Sequence, residues 1–326
     1  MKKSMAFVLS LALSALLSVS ALAAPASVYA LKGPTSMGMV KLMSEQDELS
    51  EEEKAYTFQI VSAVDEIGPA IIQGNADIAA MPANLAAVLN QKTQGGIQVL
   101  AVNTLGVLYL VGTGEEITSI ADLAGKTIYA SGKGATPEYA LNYILTGNGL
   151  DPEGDVTIEW KAEHAECLAS LLADENGIAM LPQPFVTTAQ MKNENVKVLL
   201  DLTQEWDKLQ EGQENPSTLI TGVVAARTTF IEENPEAVEQ FLSDYEASIN
   251  YTKEDVEGAA ALIGGYDIVP EQVAVKALPA CNITFLAGSE MQEKLSGYLQ
   301  VLYDANPEAV GGALPEESFY YVESAE

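Results

Sequence analysis

Histidine, arginine and cysteine are scarce in this 326-residue chain. It has one histidine, His164, one arginine, Arg227, and two cysteines, Cys167 and Cys281. A zinc site needs several closely spaced His or Cys ligands, and this sequence has no such set. The Gly-x-Ser-x-Gly motif of many hydrolases is also missing. We therefore predict no catalytic residues, no metal site and no cofactor, so the chain is not expected to be an enzyme.

The single arginine excludes a site that clamps an anion between several guanidinium groups. His164 lies in an acidic stretch with Glu163 and Glu166. We interpret it as a solvated surface side chain rather than a general base. The two cysteines fall in different predicted domains, which favours two buried free thiols; a disulfide is the alternative.

Positive charge is also in short supply. The chain has 46 acidic and 16 basic side chains, a formal net charge of −30. This field repels phosphate backbones and anionic lipids, which argues against nucleic-acid or peripheral membrane binding. Apolar residues make up 48% of the chain and charged residues 19%, a globular composition. The length suffices for two domains, and we expect a monomer.

The N-terminus has the pattern of an export signal. Met1-Lys2-Lys3 is cationic, residues 6–23 are mostly apolar, and the end of that run fits cleavage after Ala23. A retained membrane anchor is the alternative. No cysteine lies at the predicted cleavage site to carry a lipid. We therefore expect residues 1–23 to be a signal peptide, and the mature protein to be periplasmic, or at the cell surface or extracellular.

Strand and helix patterns alternate after residue 24, which predicts an α/β fold with parallel sheets. Residues 97–111 read as two strands or as one strand that bends at Gly106. A strand predicted near residues 219–226 can return the chain to the first domain. We predict a discontinuous first lobe of residues 24–112 plus 221–326, a second lobe of residues 113–220, and a hinge of two crossings.

Four loop-to-helix junctions are candidate ligand contacts, because ligands in such folds bind at the carboxyl ends of the strands. Free backbone N–H groups in the first turn of each helix can hold an anion without arginine. The candidates in chain order are Pro34, Thr35, Ser36 and Met37, then Pro82, Ala83 and Asn84, then Ser131, Lys133, Gly134, Ala135 and Thr136, and finally Gln183 and Pro184. Ordinary helix capping by the hydroxyls and Asn84, a solvated Lys133 and a structural turn at Gln183 are the alternatives.

These junctions resemble a known family. Residues 31–35 (LKGPT), 76–82 (ADIAAMP), 122–128 (DLAGKTI) and 181–185 (LPQPF) are similar to the solute-binding proteins of nitrate/sulfonate/taurine-type ABC transporters, as is the tail from 311–315 (GGALP) to 319–321 (FYY). The resemblance implies a type II periplasmic-binding fold, in which two α/β lobes close on a ligand. It also implies a permease and an ATPase as partners.

The resemblance leaves the ligand open among sulfonates, carboxylates, inorganic anions and heterocyclic vitamin precursors. Family members often carry glutamate at the position of Gln183. The neutral amide removes a negative charge from the predicted cleft, which disfavours a cationic ligand. Two other functions stay open: an enzyme on the same fold that acts on a vitamin precursor, and a sensory protein that presents its loaded form to a receptor.

Overall fold

The computed structural model describes residues 24–114, 116–213 and 216–322. The predicted signal peptide lies outside the described residues. Within them, no helix is both long and apolar enough to cross a membrane.

Eleven strands and thirteen α-helices alternate along the described chain. The strands are β1 (Ala26–Leu31), β2 (Tyr56–Val61), β3 (Ile78–Pro82), β4 (Ile97–Leu105), β5 (Leu108–Gly112), β6 (Thr127–Ser131), β7 (Thr157–Lys161), β8 (Ile178–Pro182), β9 (Lys197–Asp201), β10 (Ile220–Arg227) and β11 (Ile283–Ala287). The helices are α1 (Pro34–Met37), α2 (Val40–Asp47), α3 (Ile67–Ile72), α4 (Ala83–Thr93), α5 (Thr136–Gly147), α6 (His164–Ala173), α7 (Phe185–Lys192), α8 (Leu202–Gln210), α9 (Thr228–Glu233), α10 (Pro235–Glu254), α11 (Val256–Gly265), α12 (Glu271–Ala277) and α13 (Gly288–Ala305).

The strands form two sheets with matching strand order. The first sheet runs β11-β4-β10-β3-β1-β2 and the second runs β7-β6-β8-β5-β9. The strands β10 and β5 occupy equivalent places in the two sheets, and each is antiparallel to its neighbours on both sides. These two strands are the ones by which the chain enters one sheet from the other. We call the body around the first sheet lobe 1 and the body around the second sheet lobe 2.

The sheet composition agrees with the mixed α/β prediction. β3 is buried along nearly its whole length and β5 along all of it, as expected for strands covered by helices on both faces. The predicted strand region at 97–111 is two strands in different sheets, separated at Gly106. A Cβ atom at Gly106 would clash with Thr203, so this crossing needs a residue without a side chain. The exact lobe boundaries stay a prediction.

Three elements were not predicted from the sequence: α8, α11 and β11. α8 follows β9 with no intervening Gly or Pro, and begins where the Asp201 side chain accepts a hydrogen bond from the Thr203 amide at 2.9 Å. Side-chain capping of this kind supplies a partner for an otherwise unpaired N–H group. A helix that starts directly on a strand end gives little local signal in the sequence.

Aromatic packing joins the two lobes along one side of the molecule. Trp206 of α8 is fully buried, with its ring centroid 4.5 Å from that of Tyr143 in α5 and 5.6 Å from that of Tyr298 in α13. Its indole N–H donates to Ser217 Oγ at 3.0 Å. Because Tyr143 belongs to lobe 2 and α13 packs on lobe 1, this cluster holds the lobes together on the side of α5, α8 and α13.

The C-terminal segment packs back onto lobe 1. Phe319 is fully buried, and the Tyr321 amide donates to the Val99 carbonyl at 2.9 Å. Gln91 of α4 donates to the carbonyls of Ala313 and Leu314 at 3.2 and 3.3 Å. The tail therefore covers α4 and β4, which leaves lobe 1 with more surrounding structure than lobe 2.

Candidate functional site

The carboxyl ends of the parallel strands in both sheets lead into the four predicted junctions. β1 and β3 end at Leu31 and Pro82 in lobe 1, whereas β6 and β8 end at Ser131 and Pro182 in lobe 2. Side chains that follow parallel neighbouring strands lie at one edge of the sheet. The junctions of each lobe are thus neighbours within that lobe.

A direct hydrogen bond connects the two edges. Thr136 Oγ1, at the start of α5, donates to Asn84 Oδ1, near the start of α4, at 3.2 Å. The exposed fractions of Thr136 and Asn84 are only 1% and 4%. The Tyr298 hydroxyl donates to Thr136 Oγ1 at 3.3 Å. The first turns of one helix from each lobe therefore meet in a buried seam, and the lobes are closed in this structure.

Asn84 is oriented by the C-terminal segment. Its Nδ2 donates to the Ala309 carbonyl at 3.4 Å, which leaves Oδ1 to face Thr136. The neighbouring candidates, Pro82 and Ala83, have no polar side chain and could contact a ligand only through their backbone atoms. Pro82 ends β3, and Ala83 is the fully buried first residue of α4. Asn84 is thus a buried seam residue rather than a surface cap.

The hydroxyls of the first junction are used within lobe 1. Thr35 Oγ1 donates to the Leu31 carbonyl at 2.7 Å, and Ser36 Oγ donates to the Gly33 carbonyl at 3.0 Å. Pro34 begins α1 and is partly buried. Met37 is fully buried in the apolar core of lobe 1, which suits packing rather than ligand lining.

Two polar residues that sequence reasoning missed lie behind this junction. Asn103, buried in β4, donates from Nδ2 to the Thr35 carbonyl at 3.4 Å. The Tyr245 hydroxyl lies near Asn103 but makes no hydrogen bond to any described residue. Burial raises the pKa of Tyr245 well above its usual range. Both residues occur within apolar patterns, so the sequence did not distinguish them from core positions.

His164 was wrongly interpreted as a solvated residue. It is the first residue of α6, it is partly buried, and its ring packs 5.3 Å from that of Phe185. Its Nδ1 lies 2.5 Å from Ser131 Oγ, the buried last residue of β6. Desolvation lowers the pKa of His164 to about 4, so the ring is neutral at pH 7. In the tautomer in which Ser131 donates to Nδ1, Nε2 carries the ring proton, and this N–H has no partner among the described residues.

The glycine-rich loop, residues 131–136 between β6 and α5, is only partly buried at the candidate site. Lys133 and Gly134 are exposed, and the Gly134 amide donates to Glu138 Oε2 at 2.5 Å. Lys133 borders an outer groove together with Glu138 and Glu153. Ala135 is the residue before α5 and is partly buried. The buried members of this junction are its two ends, Ser131 and Thr136. Between them, the Gly134 amide, a candidate anion contact, is already paired with the Glu138 carboxylate.

Gln183 retains hydrogen-bonding capacity at the fourth junction. It is 6% exposed, and its Oε1 accepts from the amide and the hydroxyl of Thr187 at 3.3 and 2.9 Å. Its Nε2 donates no hydrogen bond to any described residue. The buried Pro184 follows it and precedes α7. Gln183 therefore offers a free amide donor, as the His164 ring does.

The one arginine is used far from this seam. Arg227 pairs with Asp77 at 2.5 Å, at the opposite edge of the first sheet, where Asp77 also accepts from the Ser27 amide at 2.9 Å. The two cysteines are free and buried, as predicted, and burial raises the pKa of Cys281 to about 12. No group of three or more His, Cys, Asp or Glu residues that could hold a metal occurs among the residues that the structure describes.

Two α/β lobes of matching strand order, closed at their carboxyl edges, define a type II periplasmic binding fold. The chain belongs to the family described as "ABC transporter, phosphonate, periplasmic substrate-binding protein", whose model matches residues 46–267. The predicted class of ABC-transporter binding protein is thus confirmed, whereas the nitrate/sulfonate/taurine type stays a prediction, because the family model names phosphonate. No curated protein matches the chain.

Solved structures show the same fold. An ABC transporter protein from Parabacteroides distasonis has a TM-score of 0.76 at 21% identity, covering 93% of this chain and 100% of that one. The periplasmic aliphatic sulphonate-binding protein SsuA from Escherichia coli has a TM-score of 0.72 at 17% identity, with coverages of 93% and 95%. The periplasmic nitrate-binding protein NrtA from Synechocystis has a TM-score of 0.60 at 10% identity, with coverages of 82% and 74%.

Proposed function

We propose that this protein binds a small oxyanion-bearing molecule between its lobes and delivers it, outside the cytoplasm, to the permease and ATPase of an ABC importer. The observation that carries this proposal is the buried Thr136–Asn84 hydrogen bond, since it brings helix starts from both lobes to one place. Family membership supports the transport role and the extracytoplasmic location.

Oxyanion binding is supported by the donors at the edge of lobe 2. In the tautomer in which Ser131 donates to Nδ1, His164 Nε2–H is a neutral donor, as is Gln183 Nε2, and neither has a partner among the described residues. The 12-residue helix α5 follows β6, the parallel neighbour of the strand β8 that ends just before Gln183. The partial positive charge at a helix start favours an anion there. Neutral donors and backbone dipoles can thus replace the guanidinium groups that the chain lacks.

Ligand entry requires the lobes to separate. The direct Thr136–Asn84 contact occupies the seam in the closed structure, so a ligand must take over these hydrogen-bonding atoms. Hinge motion at the two strand crossings, residues 105–108 and 217–220, would open it. We expect the ligand to bridge Thr136 and Asn84 and to favour the closed arrangement.

The ligand class follows from charge and from the relatives. Gln183 places no negative charge at the seam, so an anion meets less repulsion than it would beside glutamate. The family model names phosphonate, and the two named neighbours bind sulphonate and nitrate. Phosphonates and sulfonates share a tetrahedral group with three acceptor oxygens. We propose this group as the part of the ligand that lobe 2 holds.

A thermal-shift panel tests this function. The mature protein is heated with methylphosphonate, methanesulfonate, nitrate, acetate and a neutral pyrimidine. A ligand at 100 times its dissociation constant adds about 2.7 kcal/mol to the free energy of unfolding, enough to raise the melting temperature by several degrees. We expect a phosphonate or sulfonate to do this without chemical turnover. If neither tetrahedral anion shifts melting, or if a product forms, the proposal is wrong.

A further inference from the structure

A groove on the outer side of the molecule lies apart from the seam. It has a volume of 660 Å³ and is lined by residues of three helices, α5, α8 and α13, and of the turn after α8. Its lining includes Asn142, Tyr143, Gln210, Gln300 and Asp304. α5 and α8 belong to lobe 2 and α13 packs on lobe 1, so a molecule in the groove would touch both lobes.

Two oxygen atoms of the residues that line this groove have no hydrogen-bond partner among the described residues. Asn142 Oδ1 is buried and has no hydrogen-bond partner among the described residues. Asp304 Oδ1 accepts from Gln300 Nε2 at 2.8 Å, while its second oxygen has no described partner. The amide nitrogen of Gln210 is already used, since it donates to the Tyr143 hydroxyl at 2.6 Å. A ligand that brings an N–H donor can pair with the free oxygen of Asp304.

Charge also favours a cation. Asp304 is the one charged residue among those described as lining the groove. The net charge of −30 raises the local concentration of cations around the whole molecule.

A glycine inside a helix keeps the groove open. Gly297 lies well inside the 18-residue helix α13, where glycine is a poor helix former. A Cβ atom at this position would come no closer than 3.6 Å to Ser217, so packing does not require glycine. Any larger side chain at position 297 would extend into the groove, because Gly297 lines it.

We propose that this groove is a second binding site, which takes a small organic ammonium ion and, by contacting both lobes, favours their closed arrangement. Its chemistry is opposite to that of the seam, which offers donors to an anion. The two sites can therefore be occupied together. The inference does not depend on the identity of the seam ligand.

Amide NMR of the full mature protein with ethanolamine at pH 7 tests this proposal. Gly147 and Gly297 line the groove, and their amide signals fall in a region of the spectrum with few others. We expect both signals to shift in a saturable way, while the Gly134 signal beside the seam does not. Ethylene glycol, which replaces the ammonium group by a hydroxyl, should shift them at least fivefold less at equal concentration. Equal shifts with both probes, or none at Gly297, would overturn the proposal.

Four variants test whether the shifts arise from binding in the groove. Asp304→Asn should weaken ethanolamine binding about fivefold, whereas Glu293→Gln removes the same charge from an exposed position on the same helix and should change it less than twofold. Gly297→Met should fill the groove and abolish the Gly147 shift, with Gly297→Ala as the control for folding. Loss of binding in Glu293→Gln as large as in Asp304→Asn would show a diffuse charge effect and contradict a site. Methylphosphonate binding should persist in Asp304→Asn, so failure of the seam and failure of the groove are separable.

Discussion

The carboxyl edges of the two lobes have matching strand order but unequal hydrogen-bonding capacity. In lobe 1, Thr35, Ser36 and the Asn84 amide nitrogen are paired with backbone carbonyls of the same lobe. In lobe 2, Gln183 and, in the tautomer with Nε2–H, His164 each keep an N–H donor that has no partner among the described residues. Two sheets of the same strand order can therefore differ in role. These polar groups of lobe 1 are paired within the protein, whereas those of lobe 2 remain available to a ligand.

The difference follows from what surrounds each sheet. Lobe 1 is covered by α10, α13 and the C-terminal segment, whose carbonyls reach the site residues, as Ala309 does with Asn84. The longest helix of lobe 2, α5, has 12 residues, against 20 for α10 and 18 for α13, and no comparable tail covers lobe 2 among the described residues. The C-terminal segment therefore pairs Asn84, whereas Thr35 and Ser36 pair within their own junction and the Tyr245 hydroxyl has no partner among the described residues.

The largest expected effect comes from breaking the aromatic contact that joins the lobes. Trp206→Ala should lower the free energy of unfolding by about 3–5 kcal/mol, because it removes a fully buried side chain that contacts both lobes. Urea denaturation measures this. The other tryptophan, Trp160, is partly exposed in lobe 2, and Trp160→Ala should cost clearly less. Equal costs would show that the contact between the lobes adds nothing.

Acid should destabilise the wild type through lobe 2. The folded pKa of His164 is about 4, below its usual value of 6.5, so the unfolded chain binds more protons between these values. Stability should therefore fall by about 2 kcal/mol as the pH drops from 6.5 to 4, allowing for partial exposure. Denaturation of wild type and His164→Gln across this range isolates the effect from the carboxylates. Parallel curves would contradict a desolvated His164.

Substitutions at the carboxyl edges of the two lobes should differ in their effect on ligand affinity. His164→Ala removes a free donor and should weaken phosphonate or sulfonate binding about tenfold, the value of one hydrogen bond. Ser36→Ala in lobe 1 should change affinity less than twofold, since Ser36 is paired with Gly33. Calorimetric titration of both variants measures the contrast. A larger loss in Ser36→Ala would reverse the assignment of the lobes.

The smallest effect is expected at the exposed lysine of the glycine-rich loop. Lys133→Gln should change affinity less than twofold, because Lys133 lies at the surface and borders the outer groove near Glu138. The same titration at 50 and 300 mM salt checks it. A tenfold loss that disappears at high salt would place Lys133 at the ligand.

Local sequence patterns were enough to predict the strand-to-helix junctions and the two-sheet fold, since periodicity and Gly/Pro punctuation are local features. The environments of the individual site residues could not be predicted in this way, because they depend on tertiary contacts. His164 lies in an acidic stretch, yet Phe185 covers its ring. Gly134 belongs to a loop typical of anion binding, yet Glu138 takes its amide. Asn103 and Tyr245 lie in apolar patterns whose polar members only the folded chain brings together.

A crystal structure of the mature protein with its best phosphonate or sulfonate ligand tests the central claim most directly. The account predicts ligand oxygens within about 3 Å of His164 Nε2 and Gln183 Nε2, with Asn84 of the other lobe also in contact. Electron density for the ligand on one lobe alone, or away from both donors, would contradict it.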